Sequence, residues 1–220
     1  MLATIIRLFR RAPPYRFDFA EARRRCRILL IDDDPNALPL EDIKKGDYNI
    51  SQERLVSPEL LRQCEGGVFD IIILDYNGIA PEAVTPDDGF GVFARIKGAN
   101  PNQYIISISG QTYDISKTEY FQRANDWLRK PTDLATTQDK LDAGIRTVFD
   151  KSEALARLRR QLLDDGISAR AVDKIISKIE NSEFRELDQI ANLVKNTSKV
   201  IELSKGVYSI LRNIVKIHMP

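Results

Sequence analysis

Four places in the sequence gather side chains able to do chemistry. Asp32, Asp33 and Asp34 are consecutive carboxylates. Acids so close repel one another and favour protonation unless a cation neutralises them, and oxygen ligands in that number suit magnesium. A solvated acidic turn that caps the next helix would use the same residues. Asp75 stands at the end of an apolar run, Phe69 to Leu74, interrupted only by Asp70. Ser109 offers a hydroxyl and Lys130 an amine, each at the end of another apolar stretch. A carboxylate attacks a phosphoryl group when a metal screens its charge and donors neutralise the transferred oxygens. The set fits phospho-acceptance.

The elements that must position these groups follow from hydrophobic patterning. Arg27–Ile31, a segment starting at Tyr48, Phe69–Leu74, Tyr104–Gly110 and Asp126–Pro131 read as strands. Leu38–Ile43, the stretch from Pro58 to Gly66-Gly67, Gly89–Lys97, Lys117–Arg123 and the stretch from Leu134 read as helices. Ser57 is placed to cap one, with Pro58 where its missing N–H costs least. The βα alternation is complete by about residue 147 and predicts an α/β fold, a doubly wound five-stranded parallel sheet. Right-handed crossovers bring the carboxyl ends of all strands to one edge, which would hold Asp32, Asp33, Asp75, Ser109 and Lys130.

In this combination the sequence resembles the receiver domain of two-component response regulators (CheY-like, flavodoxin-like fold). The resemblance covers about Cys26 to Arg146 and rests on Ile-Asp-Asp-Asp-Pro after strand one, Asp75, Ser109 and Lys130-Pro131. It implies that Asp75 is phosphorylated by a histidine kinase or phosphotransfer protein. Magnesium would be held by Asp32, Asp33, Asp75 and the backbone carbonyl of Asn77. Ser109 and Lys130 would bind the phosphoryl oxygens, the Lys130-Pro131 bond would be cis, and Trp127 would occupy the family's aromatic switch position, with plain packing as the alternative. Two departures stand out. The familiar Met-Pro after the acceptor is missing, and the loop from Ile79 to Asp88 is longer than the family usually carries, which suggests a tolerated surface insertion or a lid.

Composition narrows the remaining classes. Hydrophobic residues make up 43% and charged ones 30%, values of a globular chain without a membrane span. Cys26 and Cys64 lack metal-ligand spacing and His218 is the only histidine, so zinc, disulfide and histidine chemistry are disfavoured. The start lacks a secretory pattern, which suggests a cytoplasmic protein.

Net charge is +1 but uneven: residues 1–27 hold eight arginines against two acids, residues 28–150 are acidic, and the remainder is mildly basic. Residues 1–25 read as a basic arm with Leu2, Ile5, Ile6 and Phe9 on one helical face, residues 26–147 as the receiver, and residues 148–220 as an all-helical output or dimerisation region. There the patterning predicts one helix from Leu134 to Leu163, a second after Ser168 and a third from Glu183 to about Lys216. The apolar stripe of that third helix asks for cover from a hairpin within the chain or, preferred here, a bundle shared by two chains. The leading expectation is a non-enzymatic signalling switch. The alternative is a nucleic-acid-binding regulator that uses the basic ends, against which the tail offers only a mild positive charge.

Overall fold

The computed structural model describes residues 18–110, 122–182, 184 and 186–218. The expected N-terminal helix through Phe9 and most of the expected helix at 117–123 lie outside these residues. In chain order the elements are α1 (Phe19–Arg25), β1 (Ile28–Ile31), α2 (Leu40–Lys45), β2 (Ile50–Glu53), α3 (Pro58–Glu65), β3 (Ile71–Leu74), α4 (Asp88–Ala99), β4 (Tyr104–Ser109) and β5 (Asp126–Arg129). The helices α5 (Leu134–Phe149), α6 (Lys151–Asp164), α7 (Ala169–Glu180), α8 (Leu187–Ser198) and α9 (Lys205–His218) follow.

The strands form one parallel sheet in the order β2-β1-β3-β4-β5. This is the flavodoxin-like doubly wound order. Because β1 and β3 are buried along their whole length, both faces of the sheet are covered, as a parallel sheet requires. One face, with Leu29, Ile31, Ile72, Leu74 and Ile105, packs on α3 and α4 through Leu61, Cys64, Phe93 and Ile96. The other face, with Ile28, Leu30, Ile71, Ile73 and Ile106, packs on Ile43 of α2 and on Leu141, Ile145 and Val148 of α5. Gly144 lets α5 sit close to the sheet, since a methyl there would stand 2.9 Å from Ile71.

The expected single helix from Leu134 to Leu163 is two. Asp150 closes α5 in an extended conformation and caps α6, its carboxylate accepting the Glu153 amide at 2.7 Å. The expected long third helix is also two, because Lys199 is left-handed (φ 61°) and ends α8. Gly166 (φ 80°) ends α6, with Ile167 N–H bonded to Leu162 carbonyl and Gly166 N–H to Leu163 carbonyl.

Folded back this way, α6 to α9 cover one another's apolar faces: Leu158, Ile175, Ile190, Val194, Leu211 and Ile214 are fully buried within the chain. Most of that stripe is therefore covered within the chain, while Ile201, between α8 and α9, is exposed. The tail's core is continuous with the α5 face of the sheet, and α9 is pinned to the amino-terminal edge of the sheet. There Lys216 Nζ donates to both oxygens of Asp70 at 2.6 and 2.8 Å, and Arg212 donates to the Gly67 carbonyl. None of the described helices is long and apolar enough to cross a membrane.

Candidate functional site

At the carboxyl edge of the sheet, β1 delivers Asp32, β3 delivers Asp75 and β5 delivers Lys130. Lys130 Nζ lies 2.8 Å from Asp32 Oδ1, 2.7 Å from Asp32 Oδ2 and 2.6 Å from Asp75 Oδ2. Asp32 is fully buried and Asp75 nearly so, while Asp33 is exposed. One carboxylate oxygen from each of Asp32, Asp33 and Asp75 lies within 4.8 Å of the others. Burial, with the charge of Asp75, pushes the Asp32 carboxyl up against the pull of Lys130 and the Asp34 amide. For Lys130, burial opposes the charge, but the hydrogen bonds it donates to both carboxylates outweigh it and the ammonium is held above its ordinary value.

Local structure explains these positions. The Asp34 amide donates to Asp32 Oδ1 at 3.0 Å, and Gln52, a polar residue inside β2, donates to the carbonyls of Asp32 and Asp34. Asp75 is fixed by the Tyr76 amide, 2.7 Å from its Oδ1. On the other flank α4 comes so close at Gly89 that a methyl there would stand 2.5 Å from Tyr76 Cα. Only glycine fits. The Lys130-Pro131 bond is cis, as the sequence led us to expect.

The three acids offer hard oxygen donors, one of them open to solvent, which suits a cation that keeps part of its water shell. Asp32 Oδ2 is buried and accepts no hydrogen bond among the described residues, despite the ionic contact with Lys130. Such an atom gains from a metal, so the residues fit magnesium.

Asp32, Asp75 and Lys130 are thus in direct contact, with Asp33 beside them. Ser109 ends β4 on the same edge, its carbonyl accepting the Lys130 amide at 2.9 Å. Asn77 lies exposed in the turn after Asp75. Trp127, 50% exposed, stands on β5 opposite Ser107. The 79–88 loop is less superficial than an idle insertion: Ile79 is fully buried, its carbonyl accepts the Val56 amide at 2.7 Å, and Asp88 accepts the amides of Gly78, Ile79 and Ala80. Sequence reasoning missed Gln52, Tyr76, Asp88 and the closeness of Gly89. A polar residue inside a strand and a tyrosine directly after Asp75 were the available signals. The basic stretch Arg23–Arg25 is spent within the chain: Arg23 pairs with Asp142, and Arg24 and Arg25 with Glu21.

No family model matches the sequence, and no curated protein does. Solved structures with a similar fold include a CheY-like response regulator receiver domain protein from Methanospirillum hungatei, 18% identical, covering 55% of this chain and 93% of that one with a TM-score of 0.44. The BeF3-activated receiver domain of RstA from Klebsiella pneumoniae is 19% identical, with coverages of 55% and 98% and a TM-score of 0.44. The receiver domain of a Pseudomonas aeruginosa sensor histidine kinase, with a magnesium ion coordinated in its active-site cleft, is 21% identical, with coverages of 55% and 97% and a TM-score of 0.44.

Proposed function

We propose that this chain is a two-component response regulator whose receiver accepts a phosphoryl group on Asp75 from a phosphohistidine of a histidine kinase or phosphotransfer protein. The observation that supports this most is Lys130 spanning Asp32 and Asp75 within 2.8 Å, with Asp33 beside them. In the transfer a carboxylate oxygen of Asp75 bonds to phosphorus and the bond from phosphorus to the donor imidazole breaks. The electron pair stays on the imidazole nitrogen, which takes a proton.

Magnesium, held by Asp32 and Asp33 with Asp75 and the Asn77 carbonyl, would supply screening of the negative charge that gathers on the reacting oxygens. Lys130, already 2.6 Å from Asp75 Oδ2, places a fixed positive charge where the phosphoryl oxygens arrive, and its geometry is set before the reaction begins. Ser109 offers a hydroxyl to a phosphoryl oxygen, and Trp127 responds from the neighbouring strand. The helical tail, continuous with the core of the receiver, carries the output.

The test is intact mass of the wild type and Asp75→Asn after incubation with magnesium and acetyl phosphate, with light scattering on the same samples. The expected result is one added phosphoryl group on the wild type, none on the variant and none after chelation of the metal. Equal modification of both proteins, or of neither, overturns the reading. The light scattering reports whether the tail couples phosphorylation to dimerisation.

A further inference from the structure

Tyr76 follows the acceptor directly, and its side chain turns away from the acidic cluster into the core. Its ring stacks on Phe90 with centroids 4.4 Å apart and meets Phe93 at 6.2 Å. The phenol oxygen lies 2.6 Å from Ser107 Oγ, and both residues are buried. The layer around them is apolar, with Leu74, Ile72 and Ile105 as neighbours. In such a layer each hydroxyl would be costly without the other, and the bond between them is directional. It therefore selects one position of the ring.

That position matters because the backbone amide of the same residue is the donor to Asp75 Oδ1 at 2.7 Å. From the opposite side, the Gly89 amide donates to the Tyr76 carbonyl at 3.2 Å, and the lack of a side chain at Gly89 brings α4 against the acceptor backbone. Ser107 stands in register with Leu74 on β3 and with Trp127 on β5. A row of residues thus runs from the acceptor segment through a buried hydroxyl pair to the aromatic on the outer strand.

We infer that Tyr76 and Ser107 form a positioning pair that orients the Asp75 carboxylate for phosphoryl transfer and couples its state to Trp127. The inference rests on the acceptor reading above. Phosphorylation turns the Asp75 carboxylate into an acyl phosphate and removes the carboxylate charge that the Tyr76 amide holds, weakening that bond. The hydroxyl bond then passes the relaxation of Tyr76 to β4, where Ser107 is the direct neighbour of Trp127. Orientation of a nucleophile by about an ångström is worth large factors in rate. Here one neutral hydrogen bond, acting at second hand, is worth about three- to tenfold.

The experiment uses the full chain with magnesium and acetyl phosphate, and follows both the rate of modification by intact mass and the emission of Trp127, the single tryptophan of the sequence. Tyr76→Phe keeps the ring and its stacking on Phe90 while removing the hydroxyl. The double variant Tyr76→Phe/Ser107→Ala removes both hydroxyls together, so it separates the loss of their bond from the cost of burying one of them without the other. The expected result is a cooperative melt, phosphorylation slowed about three- to tenfold, and a smaller emission change at full modification. The double variant should be no slower than Tyr76→Phe alone, since the two residues act as a unit. Wild-type rate and emission change in Tyr76→Phe and in the double variant overturn the inference while leaving Asp75 as the acceptor. So does a slower rate with an unchanged emission response, because mere packing would act that way. Modification of Asp75→Asn at the wild-type rate overturns the acceptor reading and this inference together.

Discussion

Lys130 keeps apart two carboxylates that would otherwise face each other across the ends of β1 and β3. Its ammonium is mostly buried, and Asp32 fully so, hence removing one partner leaves an uncompensated charge. Lys130→Met should cost about 3 kcal/mol in denaturant melts without metal. Added magnesium should recover more stability in the variant than in the wild type, because it replaces the missing cation. Asp32 carries the opposite sign. Burial raises its carboxyl in the folded state, so its contribution to stability is full below the unfolded value and is lost as pH rises through the folded one. Asp32→Asn should therefore be more stable than the wild type at pH 7 without metal. Parallel melts from pH 7 downward should show that advantage fading, and gone below about pH 3.9. An advantage that grows on acidification would contradict this assignment. At this scale the acids and the lysine were legible because each ends an apolar run. Tyr76 and Gln52 were not, because their partners Ser107 and the 32–34 loop lie on other strands.

Among the elements, α4 and the loop before it pack against the backbone of Asp75 and Tyr76. Gly89→Ala would drive a methyl into the Tyr76 backbone, within 2.5 Å of its Cα, and no flexible side chain is there to give way. A loss of about 2 kcal/mol, with a matching fall in phosphorylation rate, is expected in melts and in the acetyl phosphate assay. An unchanged rate would mean that α4 does not position Asp75. Strands and most helices of the α/β half were legible from alternation and caps, Ser57 among them. The tail was less so. Leucine and isoleucine spacing runs through Asp150 and again through Lys199, and apolar period alone continues a helix across both. The Asp150-x-x-Glu153 pattern, an acid cap followed by a glutamate three residues on, was the available stop signal. At Lys199 no glycine announces the left-handed turn. The 79–88 loop was legible as an insertion, but its anchoring was not, since that depends on Asp88 reaching back to three amides.

Across the whole molecule the tail and the sheet share one core, with Val148 and Phe149 of α5 leading directly into Leu155 and Leu158 of α6. The amino-terminal helix is tied to the same body, since the Arg23 guanidinium lies over the rings of Phe19 and Tyr48 and binds Asp142. The α/β half and the tail should then unfold in a single calorimetric transition. Asp70 is the polar part of that junction, accepting the Arg27 amide at 2.7 Å and both contacts from Lys216. Asp70→Ala should cost about 3 kcal/mol and keep the single transition. Two separate transitions would show that the tail is an independent unit. The continuity of the core bears on the proposed signalling as well. A change that starts at Asp75 meets the tail through α5 and the sheet, with no flexible linker among the described residues between them.

The most direct measurement is the chemical location of the phosphoryl group. After reaction with acetyl phosphate and magnesium, borohydride reduction converts an aspartyl phosphate to homoserine, and peptide mass spectrometry reads its position. Homoserine at position 75, absent when magnesium is chelated, is the expected result. Homoserine at position 32 or 33, or none at all with the folded protein and metal present, would contradict the assignment of Asp75 as the acceptor.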